Sequence, residues 1–478
     1  MRRRVPIALA LACCVLMVAC GGSMKSSPAG NGVPISLAIR DTPPNGVAVL
    51  FFEASITGAS LQPTDAKKPA ASLMTTPVEV EFGHLQTDTA FLSLSGAPPD
   101  SYQSMTLTFD HAVMTIVNHS KMPISSCAVN SVCELTPAFT PTMATVTGAS
   151  FPITISQNSV VGIQLDFNLD SSVQSDLSIN PMVTVKHLTQ RSDSDKEQEM
   201  ENVDEIDGQV TAVGSNQFTL TNEHSGRSFT IMVDSNTVFE DFDRSGCTAS
   251  PADFTCVQTG QILNVDLSGN GMGTMLAKRV EFEESANHEA IKGTITSVDS
   301  TTQFHMVVFN EEPGMNGIAE GSPVTVMIQS TAVFEVGREE MGEDDGFDFS
   351  GLSFASGADL LIGQDVQIRP GTISSSGGQT TVTTNLVRLW PSQITGTVGN
   401  IDQSTGNFTL TPTSSLFTGT TPPITSISVV TLSNTDMEDG SGSSLPAKGS
   451  TVSVKGLLFN TSPTPTFVTR TMREQFGD

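Results

Sequence analysis

The densest run of metal-ligating side chains is REEMGEDDGFDFSG, Arg338 to Gly351. A calcium loop needs oxygen ligands spaced as D-x-[DN]-x-[DN]-G with a closing Glu. Here Gly346 follows Asp345, Glu343 and Met341, and Leu352 holds the closing position. The template fails, so a solvated acidic insert is expected, with weak divalent binding as the alternative. FEDFDRSGC (Phe239 to Cys247) reads as a similar polar loop. GNGMG (Gly269 to Gly273) precedes a strand pattern, whereas a phosphate cradle needs a following helix, so it reads as a hairpin turn. The histidines, His84, His111, His119, His187, His224, His288 and His305, show no HExxH spacing. Neighbouring strands could gather only Asp110, His111 and His119. GLSFAS approaches a nucleophile elbow but has Ala355 in place of the final Gly. Paired carboxylates depend on spatial separation, which a sequence does not display. No catalytic residue, metal site or cofactor is expected.

Four cysteines fall into two close pairs, Cys127 with Cys133 across CAVNSVC and Cys247 with Cys256 across CTASPADFTC. Zinc needs about four clustered ligands, and neither pair has a histidine nearby. Two disulfides stapling short polar loops are expected, as in an oxidising compartment. The chain's start agrees. Arg2, Arg3 and Arg4 precede an apolar run, Val5 to Ala19, ending in small residues. The run is shorter than the roughly 20 residues a membrane-spanning helix needs and has the pattern of an export signal.

The MVAC ending at Cys20 resembles the lipobox of bacterial lipoproteins, although Met17 stands where that family prefers Leu. The resemblance implies a diacylated Cys20 thiol at the mature N-terminus, and Gly21 rather than Asp after it implies the outer membrane. The competing reading is an ordinary cleaved signal with a coincidental cysteine. Residues 1–19 are thus expected to be signal peptide and 20–32 a Gly/Ser-rich tether. Each buried CH₂ of an acyl chain adds about 0.8 kcal/mol of membrane affinity.

The 478 residues carry a formal net charge of −27, and loss of Arg2, Arg3 and Arg4 makes the mature chain more acidic still. Such a surface repels phosphate backbones, which argues against a nucleic-acid partner. One Trp (Trp390) and one Tyr (Tyr102) leave Phe as the main supply of aromatic platforms for a sugar.

Those groups must be carried by strands. Short alternating runs broken by Gly, Pro, Asn and Asp predict an all-β chain. VPISLAIRDTPP, VAVLFFEASITGASLQ, PVEVEF, AFLSLSG, YQSMTLTF, HAVMTIVNH, FPITI, VVGIQLDFNLDSSV and NPMVTVKHL predict a two-sheet β-sandwich over 33–190. In that order, LAIRDTPP, the central apolar strand, DSYQSMTLTF, LDFNLDSSV and INPMVTV resemble an uncharacterised bacterial lipoprotein family, domain of unknown function 4382. Asp100–Ser101 stands where the family tends to place Gly before Tyr. The acidic run 191–205 reads as a linker, with a short helix weighed across Lys196 to Asn202.

Beyond it, five motifs recur three times in one order. They begin IDGQVTAV, IKGTITSV and ITGTVGNI, then QFTLTN, QFHMVVF and NFTLTP. Next come SNTVFE, STAVFE and SNTDME, then GQILNVDL, GQDVQIRP and GSTVSVKG, and finally LAKRVEFEE, TTNLVRLW and TFVTRTMRE. Ile206, Gly208, Val210 and Ala212 are expected on one face of the first strand. Five short strands bury such faces and lose their edges by closing into a barrel. Three five-stranded barrels loosely like an oligonucleotide/oligosaccharide-binding fold are predicted, over 206–285, 290–390 and 393–475. They resemble a second uncharacterised family, domain of unknown function 5666. Gly208, Gly293 and Gly396 inside strand one suggest bending or close backbone approach, and Gly260, Gly363 and Gly449 before strand four suggest turns.

The resulting expectation is a lipid-anchored envelope protein, structural or binding rather than enzymatic. Its membrane contact is the lipid, with an envelope protein or glycan as the open partner class. Carbohydrate binding or adhesion is the alternative, followed by a glycan-acting enzyme.

Overall fold

A computed structural model describes residues 32–44, 48–119, 122–124, 126–157, 161–189, 200–222, 227–243, 245–270, 274–283, 290–311, 318–337, 341, 349–437 and 445–475. Cys20, the leader, the tether, His224, His288 and most of the acidic insert lie outside these residues. Among the described residues no helix is long and apolar enough to cross a membrane.

Alternating apolar residues build the first domain as two facing sheets. One has the order Val183–Thr189, Val161–Asn168, Val33–Thr42, Ala90–Ala97, with a parallel pair at its centre. The other is built on the long strands Ala48–Pro63 and Asp100–Val117, to which shorter strands add. Both contribute to one core, where the rings of Phe52, Phe82, Phe109 and Phe167 meet. The two strands read as YQSMTLTF and HAVMTIVNH are one. Ala54 pairs with Ala112 and Ser55 with Asp110, so His111 is an extra residue. It takes φ 34° as a β-bulge that bends the strand without ending it.

All three repeats close into barrels with the strand order first, second, third, fifth, fourth, the topology of an oligonucleotide/oligosaccharide-binding fold. Barrel two uses Ile291–Ser300, Gln303–Glu311, Pro323–Val336, Asp365–Ser376 and Gln379–Trp390. Barrel three uses Ser392–Ile401, Phe408–Pro412, Ile427–Met437, Thr451–Phe459 and Thr466–Gln475. Third and fifth strands run parallel. In barrel one the third strand is split into Ser228–Met232 and Val238–Glu240, both parallel to Thr274–Glu283. The SNTVFE-type motif is therefore the end of strand three. Its main part lies just upstream, in SFTIM, PVTVMI and ISVV.

Barrel one's first strand spans Met200–Val213, so the acidic stretch is already paired there; Met200 faces Gly269 and Val203 faces Leu267. The helix weighed over Lys196–Asn202 is accordingly strand from Met200 onward, the earlier residues lying outside the described ones. A register shift between Val210 and Ala212 exposes Ala212, while Val210 stays fully buried. One extra residue in a ladder turns the residues after it to the other face.

The strand-one glycines are close-approach positions. A Cβ would lie 2.6 Å from the Val307 carbonyl at Gly293 and 2.6 Å from that of Thr411 at Gly396, and would also overlap Thr221 at Gly208. Gly260, Gly363 and Gly449 take φ of 92°, 83° and 89°, the left-handed turn that L side chains resist.

The units do not form a string. Barrel one has a separate core, joined to the sandwich where Arg227 donates to the Phe91 and Leu92 carbonyls. Barrel two's core continues into Leu457, Phe459 and Val468 of barrel three. Barrel three's core continues into Ala48, Leu50, Phe51 and Val117 of the sandwich.

Candidate functional site

Sandwich, barrel two and barrel three meet at a polar junction bordering a small open cleft of about 70 Å³. Strand Val78–Glu81 ends in a turn whose groups Glu81 organises. Its Oε1 accepts from the Phe52 and Gly83 amides at 3.0 and 2.8 Å, and its Oε2 from the His84 amide and ring Nδ1 at 3.1 and 2.8 Å. The His84 ring packs on Phe309 of barrel two, centroids 4.0 Å apart.

Across the cleft, Asp365 follows the turn at Gly363, which opens barrel two's fourth strand. Its Oδ1 accepts from the Thr294 hydroxyl at 2.6 Å, and its amide donates to Ser392 Oγ at 2.7 Å. Burial pushes its carboxyl up to about 6, against the pull of His84 and Thr294 and with help from the Glu81 charge. Burial alone would depress His84, but the Glu81 charge and hydrogen bond, with Asp365 and Asp88, hold it above the usual imidazole value.

Barrel three supplies the third wall. Gln393 Nε2 donates to the His84 carbonyl at 2.6 Å and to Asp88 Oδ2 at 2.8 Å, while its Oε1 accepts from the Gln86 and Thr87 amides at 3.0 and 3.1 Å. Lys455 Nζ lies 3.0 Å from Asp88 Oδ2, and the Thr395 hydroxyl donates to Gln86 Oε1 at 2.7 Å. Farther along, buried Arg473 donates to the Asp41 carbonyl at 2.6 Å. Burial, then the Asp166 charge, raises the Asp41 carboxyl well above its ordinary value despite Arg473.

A histidine on a carboxylate beside a carboxyl titrating near neutrality is the raw material of general acid–base catalysis. The hydrogen bonding points elsewhere. Each Glu81 oxygen accepts two hydrogen bonds, Gln393 is saturated by backbone and Asp88, and among the described residues no hydroxyl or thiol hydrogen-bonds the His84 ring. Glu81 is spent on its own turn, and Gln393 and Lys455 are spent on the sandwich across the domain boundary.

The structure joins Cys127 to Cys133 and Cys247 to Cys256. Asp110, His111 and His119 do not assemble a site: His111 occupies the bulge, and His119 Nδ1 lies 2.9 Å from the Ser415 carbonyl of barrel three. Among the described residues no group of three His, Cys, Asp or Glu could hold a metal ion. His305 pairs with Asp299 at 2.9 Å on barrel two, and His187 lies on strand Val183–Thr189. Ser356 of GLSFAS caps a short 3₁₀ turn, Gly357–Asp359, through a reciprocal capping box. Met341 and Phe349, flanking most of the acidic residues of the insert, are buried in barrel two's core. The ladder pairs Asn270 with Thr274 of antiparallel strands, and the turn read in GNGMG lies at 271–273, outside the described residues. Sequence reasoning missed the junction because its members, Glu81 to Asp88, Asp365, Gln393 and Lys455, share no local motif. The one sequence signal was the recurrent Gly363, read as a turn, two residues before Asp365.

The profile of the family "Domain of unknown function (DUF5666)" matches residues 207–281, within barrel one. No curated protein matches the chain. Solved structures similar to it include "drosophila Unr CSD456", 11% identical over 57% of this chain and 98% of that one, TM-score 0.12. Another is a deletion mutant of the single-stranded DNA binding protein from Thermus aquaticus, 13% identical over 40% of this chain and 94% of that one, TM-score 0.15. At such TM-scores neither likeness bears on what this chain binds.

Proposed function

We propose that this is an exported, non-enzymatic scaffold or binding module of the bacterial cell envelope, held on the outer membrane by lipid on Cys20. The observation that carries the non-enzymatic part is the fate of the interior space. Among the described residues each barrel interior is lined by buried apolar side chains, such as Val210, Phe218, Leu220 and Ile231 in barrel one. At the inter-domain cleft Glu81 holds His84, and Gln393 and Lys455 hold Asp88. The lone aromatics also favour structure over sugar recognition. Tyr102 is buried with its hydroxyl donating to the Pro98 carbonyl, and Trp390 is buried under Lys292. The acidic surface disfavours nucleic acid.

The lipid anchor rests on the MVAC motif and its charged leader, and two disulfides suit an oxidising compartment. The motif order in the sandwich supports membership in domain of unknown function 4382. Labelling of producing cells with a palmitate analogue tests the anchor. Label on the wild-type chain, lost in Cys20→Ser, and co-fractionation with outer membranes are expected. Absence of label, or label that survives Cys20→Ser, removes the proposal.

A further inference from the structure

Three units separated by up to hundreds of residues meet on a seam rich in titratable groups. From the sandwich come Glu81, His84 and Asp88, from barrel two Asp365, and from barrel three Lys455. Asp41, facing Asp166, Arg473 and Glu81, lies on the adjoining contact between the sandwich and barrel three. Lys455 is the cation paired with Asp88, so ionised Glu81 and Asp365 rely on His84 for compensation. We propose that this junction is a proton-operated clasp, through which the sandwich and barrels two and three hold one another more tightly in mild acid than above neutrality, with Asp365 as the titrating group.

The clasp rests on the scaffold reading, in which the junction exists to join domains. Asp365 has 2% of its surface exposed and shares its cleft with His84 and Gln86 of the sandwich and Gln393 of barrel three, so separating the domains opens its surroundings to water. A carboxyl whose value is higher when docked takes up a proton on docking. Its contribution is fully present below the free value of 3.8 and is lost as pH rises through about 6. His84 does not add to this difference, because Glu81, which holds the proton on its ring, belongs to the same unit and stays with it on undocking. From Asp365 alone the docking equilibrium changes about tenfold between pH 5 and pH 7.5.

Hydrogen exchange on the full mature chain in detergent tests this, with protection factors corrected for the pH dependence of intrinsic exchange. The Gln86 and Thr87 amides, which donate to Gln393 across the seam, report docking. Their protection is expected to be about tenfold higher at pH 5 than at pH 7.5. In Asp365→Asn, which is neutral and still accepts from Thr294, it should be high and equal at both. Equal protection in the wild type, or a pH dependence that survives Asp365→Asn, overturns the clasp and leaves the scaffold standing. Amides unprotected at both pH values overturn the docked junction and with it the scaffold. Should Asp365→Asn misfold, the only tryptophan serves as a second probe, since Trp390 pairs directly with Asp365 in the ladder. Its wild-type emission is expected to titrate near pH 6, and a flat profile from pH 4 to 8 counts against the clasp.

Discussion

Gln393 of barrel three donates to the His84 carbonyl of the sandwich across 2.6 Å, although 309 residues separate them. The same side chain accepts the Gln86 and Thr87 amides and donates to Asp88, so one amide group completes hydrogen bonds that strands cannot. It works as a clip because a carboxamide offers both donors and acceptors in one plane.

Gln393→Ala removes that clip and leaves buried amides without acceptors, a loss of about 1–3 kcal/mol for each group water does not reach. Denaturant unfolding should show a lower midpoint, and the Gln86 and Thr87 amides should exchange faster. Gln393→Glu is a sharper test. It keeps the acceptor but places a charge beside Asp88, so it should destabilise more at pH 8 than at pH 5. Unchanged exchange at Gln86 and Thr87 in Gln393→Ala would show that the seam is held elsewhere.

Gly293→Ala should destabilise barrel two. The new Cβ would sit 2.6 Å from the Val307 carbonyl, close against Met306, and overpacking of this kind costs about 1–3 kcal/mol. At Gly260 a Cβ has open space, but φ of 92° resists any side chain, so Gly260→Ala should destabilise barrel one through strain alone. Thermal melts of the two variants should both fall. Relief by truncating Met306 should be partial for the first and nil for the second. A Gly293→Ala chain as stable as wild type would refute the close-approach explanation.

These glycines mark how far the sequence could be read. Strand, turn and repeat were legible because each is local: Gly293 recurs at a fixed offset within IKGTITSV, and Gly363 opens GQDVQIRP before a period-two run. The His111 bulge escaped because it looks like a turn between two strands until the partner strand supplies continuous register. The third strand was placed late because SNTVFE resembles STAVFE more than SFTIM resembles PVTVMI. The junction was illegible for a different reason. His84, Asp365 and Gln393 are brought together by packing of whole domains, and a pattern within one segment carries no trace of that.

The barrel-one disulfide should stabilise its own unit alone. Closing the loops between Cys127 and Cys133 and between Cys247 and Cys256 removes unfolded-state entropy worth about 2–3 kcal/mol each on a chain-entropy basis. A Cys247→Ser, Cys256→Ser chain should therefore lose barrel one at lower denaturant. Barrels two and three, whose cores run into each other and the sandwich, should keep their transition. A single transition shifted as a whole would show that barrel one unfolds together with the rest.

Arg227→Ala tests how barrel one is attached. Strand Ala90–Ala97 is the edge of its sheet, and the Arg227 guanidinium covers two of its carbonyls while packing over Phe229. Exposed strand edges invite pairing with other chains. The variant should show a larger radius of gyration by X-ray scattering and more self-association, with the unfolding of barrels two and three unchanged. Identical scattering would place the attachment in other contacts.

Glu81→Gln separates the two causes acting on His84. Burial lowers the imidazole's proton affinity, while the Glu81 charge and hydrogen bond, ahead of Asp365 and Asp88, overcome it. Removing the charge while keeping the side chain's shape lets burial win, so the His84 titration followed by NMR should move to lower pH. A raised histidine stabilises the fold below about 6.5 and loses that contribution as pH rises through its folded value. The variant should therefore gain less stability on acidification from pH 8 to pH 6 than the wild type does. The Phe52 and Gly83 amides, which donate to Glu81 Oε1, keep an acceptor in Gln, so their exchange should change little. A His84 titration that stays in place in Glu81→Gln would show that Asp365 and Asp88, rather than Glu81, hold the proton on the ring.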